Sequence, residues 1–251
     1  MNTYSVLLES YKRLPHLELG KEVAELMGVH VQDAYTRLRR QEGIVWEGLE
    51  RSQAEALGAF LIQRGHPAGL VADEDIVTLA PAHIVRNGAV IREGFEIVDR
   101  TETRRVIEPT SIALVQAGWV EEEVEVTRDR EHVVVWQPRR DYSFNYTTRP
   151  VYETIGWILQ VFETGEPAPC LRVMGSRFNY AYQEIDGANS HQRFGILMTD
   201  LAKVVGFERL DHGFRLCMGS GTPHPPDATY DSLNEMIERA RWELTIRKVH
   251  G

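Results

Sequence analysis

An α+β fold is predicted for this chain, on three observations. Over residues 4–72 short apolar runs and helical spacings follow one another in the order strand, helix, helix, strand, helix, strand. From about residue 76 the pattern changes to short strands bounded by turn residues, with two capped helices near the end. A hydrophobic content of 43% with 26% charged residues is that of an ordinary globular chain, and 251 residues suffice for two modules with cores of their own. The polar stretch 72–75, Ala-Asp-Glu-Asp, is a short junction, which divides the chain into residues 1–75 and 76–251.

In the first module Tyr4–Leu8 carries Val6, Leu7 and Leu8 and reads as a buried strand. Leu19, Val23, Leu26 and Met27 fall at helical spacing and end at Gly28, a residue suited to a helix C-cap. Val31, Ala34, Tyr35 and Leu38 line a second helix that closes on Arg37, Arg39 and Arg40, cations that suit a helix C-terminus. Ile44–Trp46 is the next strand. Ser52 and Glu55 are spaced as a capping box before a helix with Ala54, Leu57 and Leu61 as its stripe. Gly65 and Pro67 end that helix, and Ala68–Ala72 supplies the last strand. The result is a small βααβαβ sandwich.

Gly28-Val-His-Val-Gln-Asp-Ala-Tyr-Thr-Arg-Leu38, Val45-Trp-Glu-Gly-Leu49 and Gln53-Ala-Glu-Ala-Leu57, with Arg64-Gly65 before the last strand, resemble the C-terminal domain of the bacterial ribosomal stalk protein. The likeness covers less than a third of the chain. It implies a βααβαβ fold and a first pair of helices whose basic residues dock protein partners. Lys21 stands where the family has a lysine, whereas Ala24, Gln32 and Tyr35 replace other basic positions. That loss removes most of the attraction to an acidic partner. The resemblance therefore carries over a shape, with Lys21 and Tyr35 as candidate contacts, and not the ribosomal role. A module that only packs against the rest of the chain is the plainer alternative.

In the second module Ala89–Val98, Val106-Ile107, Ser111–Val115, Val120–Val126, His132–Trp136, Ile155–Phe162 and Cys170–Met174 read as strands. Asp129–Glu131 is the expected turn of one hairpin, and 165–169 (Gly-Glu-Pro-Ala-Pro) that of another. Asn189 caps a helix with Phe194, Leu197, Met198, Leu201 and Val205 on one face. A further strand is expected around Phe214, Leu216 and Cys217. A last helix carries Tyr230, Leu233, Ile237, Ala240 and Leu244. This is a larger antiparallel, β-rich domain with two covering helices, for which a pleckstrin-homology-like barrel is one candidate on pattern alone.

The net charge of −9 is spread over both modules, which argues against broad binding to nucleic acid or to an anionic membrane. No segment approaches the ~18 apolar residues of a membrane span, and the start has no export signal. With only Cys170 and Cys217 there is no disulfide framework and no cysteine zinc site. A reduced pair in a soluble cytoplasmic protein is expected, and a single bridge stays open.

No two of the nine histidines share a metal-binding helix spacing, so no metal and no cofactor are expected. The stretch 219–224 lacks the Lys-Ser/Thr of a phosphate loop, and no nucleophile elbow is present. Two aromatic clusters remain: Tyr142, Phe144 and Tyr146 beside Arg139 and Arg140, and Tyr180 and Tyr182 beside Arg177. They suit a protein-binding patch, since Tyr and Arg are enriched at hot spots, or else the packing of a core. The preferred expectation is a non-catalytic protein working through contacts with another protein or with itself, as adaptor, scaffold or assembly component. The alternative is a hydrolase or transferase with a pocket near Tyr180, His191 and His224, and a weaker third is a small-ligand sensor.

Overall fold

The six elements read from the first 75 residues form in the expected order: β1 (Tyr4–Leu8), α1 (His16–Met27), α2 (Val31–Arg40), β2 (Ile44–Leu49), α3 (Arg51–Gln63) and β3 (Ala68–Ala72). The computed structural model describes residues 2–40, 43–98, 102–126, 151–219 and 225–250. β1 lies between β2 and β3 and is antiparallel to both. Its unbroken apolar run has a physical cause, because successive side chains point to opposite faces and both faces are covered. Val6 and Leu8 join Val23, Leu38, Leu57 and Leu61 under the helices, while Leu7 faces the other way with Ile44 and Val71. Gly28 ends α1 in the left-handed region at φ 64°. One detail differs: α3 starts earlier than the Ser52/Glu55 box implied. Gln53 Oε1 accepts from the Glu50 backbone N–H at 3.2 Å, and Glu55 turns to Arg51 at 2.8 Å.

The second module adds, in chain order, β4 (His83–Val85), β5 (Asn87–Ile91), β6 (Gly94–Val98), β7 (Arg104–Ile107), β8 (Ile112–Val126), β9 (Val151–Glu163), β10 (Cys170–Met174), α4 (Ser190–Val205), α5 (His212–Gly219), β11 (Thr229–Tyr230) and α6 (Leu233–His250). The larger sheet has the order β11-β8-β9-β10-β4, and β5-β6-β7 form a smaller one. The α+β class holds, with several corrections. Both edges of the larger sheet pair in parallel, β4 with β10 and β11 with β8, so it is mixed and not antiparallel throughout. The stretch 89–98 is a hairpin, with Val90 opposite Phe95. The strands expected at 111–115 and 120–126 are one continuous β8. The strand expected around Phe214 is α5, because the Asp211 carboxylate accepts the Phe214 backbone N–H at 2.6 Å and starts a helix there. Tyr230 belongs to β11 and precedes the last helix. The expected strand at His132–Trp136 and the turn at Asp129–Glu131 lie outside the described residues.

One face of the larger sheet, with Val115, Leu159, Val161 and Val173, packs under α4, α5 and the small sheet through Phe194, Leu197, Phe214 and Phe95. Its other face receives α6. Met236 meets Val120 and Ile158, and Ala240 and Leu244 meet Leu114 and Phe162. Those three α6 residues recur every fourth position and form one stripe of the helix. A second stripe, Trp242 and Ile246, covers Leu7, Ile44 and Val71 on the open face of the first sheet. Trp242 donates its indole N–H to the Leu8 carbonyl at 2.9 Å. Arg241 grips Glu47 with two bonds of 2.8 and 2.6 Å. α6 is thus a shared layer between two sheets. Among the described residues no helix is long and apolar enough to cross a membrane.

Candidate functional site

The residues singled out in the sequence take separate positions. Lys21 is exposed on α1, in the helix layer opposite α6. Tyr35 is half-buried on α2, its ring filling the space over Gly20, where an added Cβ would lie 2.1 Å from Cδ1. Arg177 is exposed after β10. Tyr180 is 6% exposed, donates to the Gly175 carbonyl at 2.9 Å and meets Phe178 edge-on at 5.0 Å. This corrects its reading as a surface contact: the ring completes the core beneath α4, and burial raises its pKa. Tyr182 is half-buried, its hydroxyl accepting from Gln183 at 2.9 Å. Arg139, Arg140, Tyr142, Phe144, Tyr146 and His224 lie outside the described residues.

His191 is exposed at the start of α4, 5.5 Å from the Trp157 ring. It borders a recess of about 360 Å³ with Trp119, Ser176 and Ser190, and no carboxylate lines that recess among the described residues. Cys170 and Cys217 are free, and burial pushes them up to about 11 and about 12, away from the thiolate. No group of three or more His, Cys, Asp and Glu side chains able to hold a metal occurs among the described residues.

Ionisable groups gather elsewhere, in a cleft of about 470 Å³ where the chain leaving β1 meets α5 and α6. Tyr11 and Trp242, 5.5 Å apart, form one wall. Arg239 of α6 lies over two rings, 5.2 Å from the Tyr11 centroid and 5.8 Å from that of Tyr230. Arg215 of α5 donates Nε–H to the Asp211 carbonyl at 3.2 Å and stacks on Phe207 at 5.1 Å. Arg247 is satisfied by Glu243 at 2.6 Å and by the Glu208 carbonyl at 2.8 Å. His212 lines the same cleft.

Behind the cleft lies a buried polar cluster centred on Tyr230. The Gln116 amide donates to its hydroxyl at 3.5 Å, and a Cβ on Gly213 would sit 3.2 Å from both that hydroxyl and Asp211 Oδ2. Asp211 is wholly buried. Its Oδ1 accepts from Phe214 and, at 3.4 Å, from Ala117, while Oδ2 has no partner. Gln116 Oε1 and Arg239 Nε are likewise buried without partners. Burial, aided by the charge of Glu243, pushes the Asp211 carboxyl up to about 7 against the pull of the two N–H donors and Arg239. Such a group can hold or release a proton near neutrality, and unsatisfied buried atoms beside a cleft mark functional candidates.

The sequence reading missed this cluster. Its signals were Gln116 inside the apolar run 112–117 and Asp211 three residues before Phe214. Compared with known proteins, the chain matches no family model, no curated protein and no solved structure.

Proposed function

We propose that the chain is a non-catalytic protein that works through contacts with another protein, as an adaptor, scaffold or assembly component, in the bacterial cytoplasm. One observation carries this reading: α6 covers the open face of the first sheet and leaves the α1–α2 layer outward, with Leu17 73% exposed and Lys21 exposed one turn on. An apolar side chain left in water beside a cation, on a helix layer facing away from α6, is open to a protein partner. The sequence resemblance to the ribosomal stalk domain supports docking on the same helix pair, and the two free thiols agree with a reducing compartment. In the test, partners retained by the wild-type chain and by a Leu17→Asp/Lys21→Glu variant are compared, together with light scattering of both. A partner or a defined oligomer held by wild type and lost in the variant supports the reading. A strict monomer that retains no partner, or a partner set that the variant leaves unchanged, overturns it.

A second reading, a hydrolase or transferase, is favoured by the cleft lined by His212, Arg215 and Glu243 in front of the buried Asp211. Its site differs from the pocket expected near Tyr180 and His191.

A further inference from the structure

We propose that the cleft between the exit of β1 and helices α5 and α6 binds a small oxyanion, a phosphate or a carboxylate, seated between Arg215 and Arg239. The first argument is the balance of charge. Of the three arginines lining the cleft, Arg247 is neutralised by Glu243 and turned toward backbone carbonyls. Arg215 and Arg239 have no carboxylate within ion-pair distance among the described residues. Arg215 uses Nε on the Asp211 carbonyl and Arg239 uses Nη1 on the Asp227 carbonyl, at 3.2 Å each. Both keep further N–H donors, and Arg239 Nε is buried without a partner. Guanidinium forks match the planar, two-oxygen face of a carboxylate or phosphate.

The second argument is preorganisation. Arg239 is held between the Tyr11 and Tyr230 rings, and Arg215 rests on Phe207, so neither needs to be ordered on binding. The third is the background. The nearest buried carboxyl, Asp211, keeps its proton up to about pH 7 and does not cancel the arginines below that. A bridging water would satisfy Arg239 Nε, yet the cleft, with three arginines against the carboxylates of Glu9 and Glu243, would keep a positive charge in excess. Space remains for more than the anion: about 470 Å³ walled by Tyr11 and Trp242 admits an organic group attached to it. The lining comes from both modules, Tyr11 from the first and α5 and α6 from the second, so an occupant would tie them together.

The test uses the full chain, with inorganic phosphate and acetate as separate probes at fixed ionic strength in calorimetry and thermal melts. Saturable binding of either probe is expected, with a melting temperature that climbs with its concentration; which probe binds names the oxyanion. Arg215→Gln should weaken it about tenfold or more. Arg51→Gln, a change of equal charge on the exposed start of α3, should leave it unaltered. In the unmutated chain, phenylglyoxal modification of Arg215 should be slowed by the bound probe, which keeps the proposal falsifiable if the variant does not fold. Failure of both probes to saturate, equal affinity in a folded Arg215→Gln chain, or no protection of Arg215 overturns it.

Discussion

Among the described residues, the first 75 bury one polar side chain, Ser5, while residues 76–250 bury six: Gln116, Gln160, Glu163, Gln183, Asp211 and Thr245. The Ser5 hydroxyl is matched by Asp73 at 2.6 Å, and the rest of that core is apolar. Burying a polar group costs free energy unless it is bonded, so the contrast separates a core that is almost wholly apolar from one that must satisfy several buried polar groups. Some of the six are structural. Thr245 accepts the Val77 N–H at 3.1 Å, and Glu163 pairs with Arg105 at 2.5 Å. Glu163 and Gln183 also keep an unpartnered oxygen each, but those of Asp211 and Gln116 lie in one cluster, gathered around Tyr230 behind the cleft.

The sharpest way to break this comparison is through pH. The Asp211 carboxyl holds its proton up to about pH 7 when folded, whereas an unfolded aspartate loses it near 4. Between those values the folded state binds the extra proton, so stability falls as pH rises through that window and levels off above it. The groups facing Asp211 are Tyr230 on β11, Cys217 on α5, and Arg239 and Glu243 on α6. The loss is on the order of 4 kcal/mol at most. Asp211→Asn should abolish this slope in urea titrations from pH 4 to 8; an unchanged slope would place the titration elsewhere.

Trp242→Ala tests the seam between the two regions. It removes a ring packed on Tyr11 and the bond to the Leu8 carbonyl, at an expected cost of about 3 kcal/mol. The unfolding transition should broaden or split as the modules lose their common layer, read from the denaturant slope. A single sharp transition of wild-type slope would show that the remaining α6 contacts suffice. The smallest effect belongs to Arg241→Ala. Its pair with Glu47 is partly exposed, 24% and 34%, so solvent screening limits the loss to about 0.5–1 kcal/mol, less at high salt.

The same contrast explains what was legible in the sequence. Local periodicity was sufficient for βααβαβ, since each helix of the first module shows its buried stripe within a dozen residues, and Asn189 was readable as a cap, with Gln192 N at 2.9 Å. The second module rests on distant pairings that leave little local trace. β11 is two residues long and finds β8 in parallel, and β4, which precedes the small sheet in the chain, joins β10. Around α5, Phe214 and Leu216 alternate like a strand, and the Asp211 cap decides otherwise. The cleft was invisible for a related reason. Arg215, Arg239 and Tyr11 stand far apart in the chain and meet only because α6 crosses between the sheets.

The placement of α6 also orders events during synthesis. Leu7, Ile44 and Val71 emerge early, on strands complete by residue 72, yet the helix that shields them starts only at Leu233. A nascent chain therefore carries a bare, greasy sheet until that helix is made, a surface that invites chaperones or mispairing with other chains. Ribosome stalling or early termination ahead of Leu233 would release a product in which Leu7, Ile44 and Val71 lack the helix that covers them.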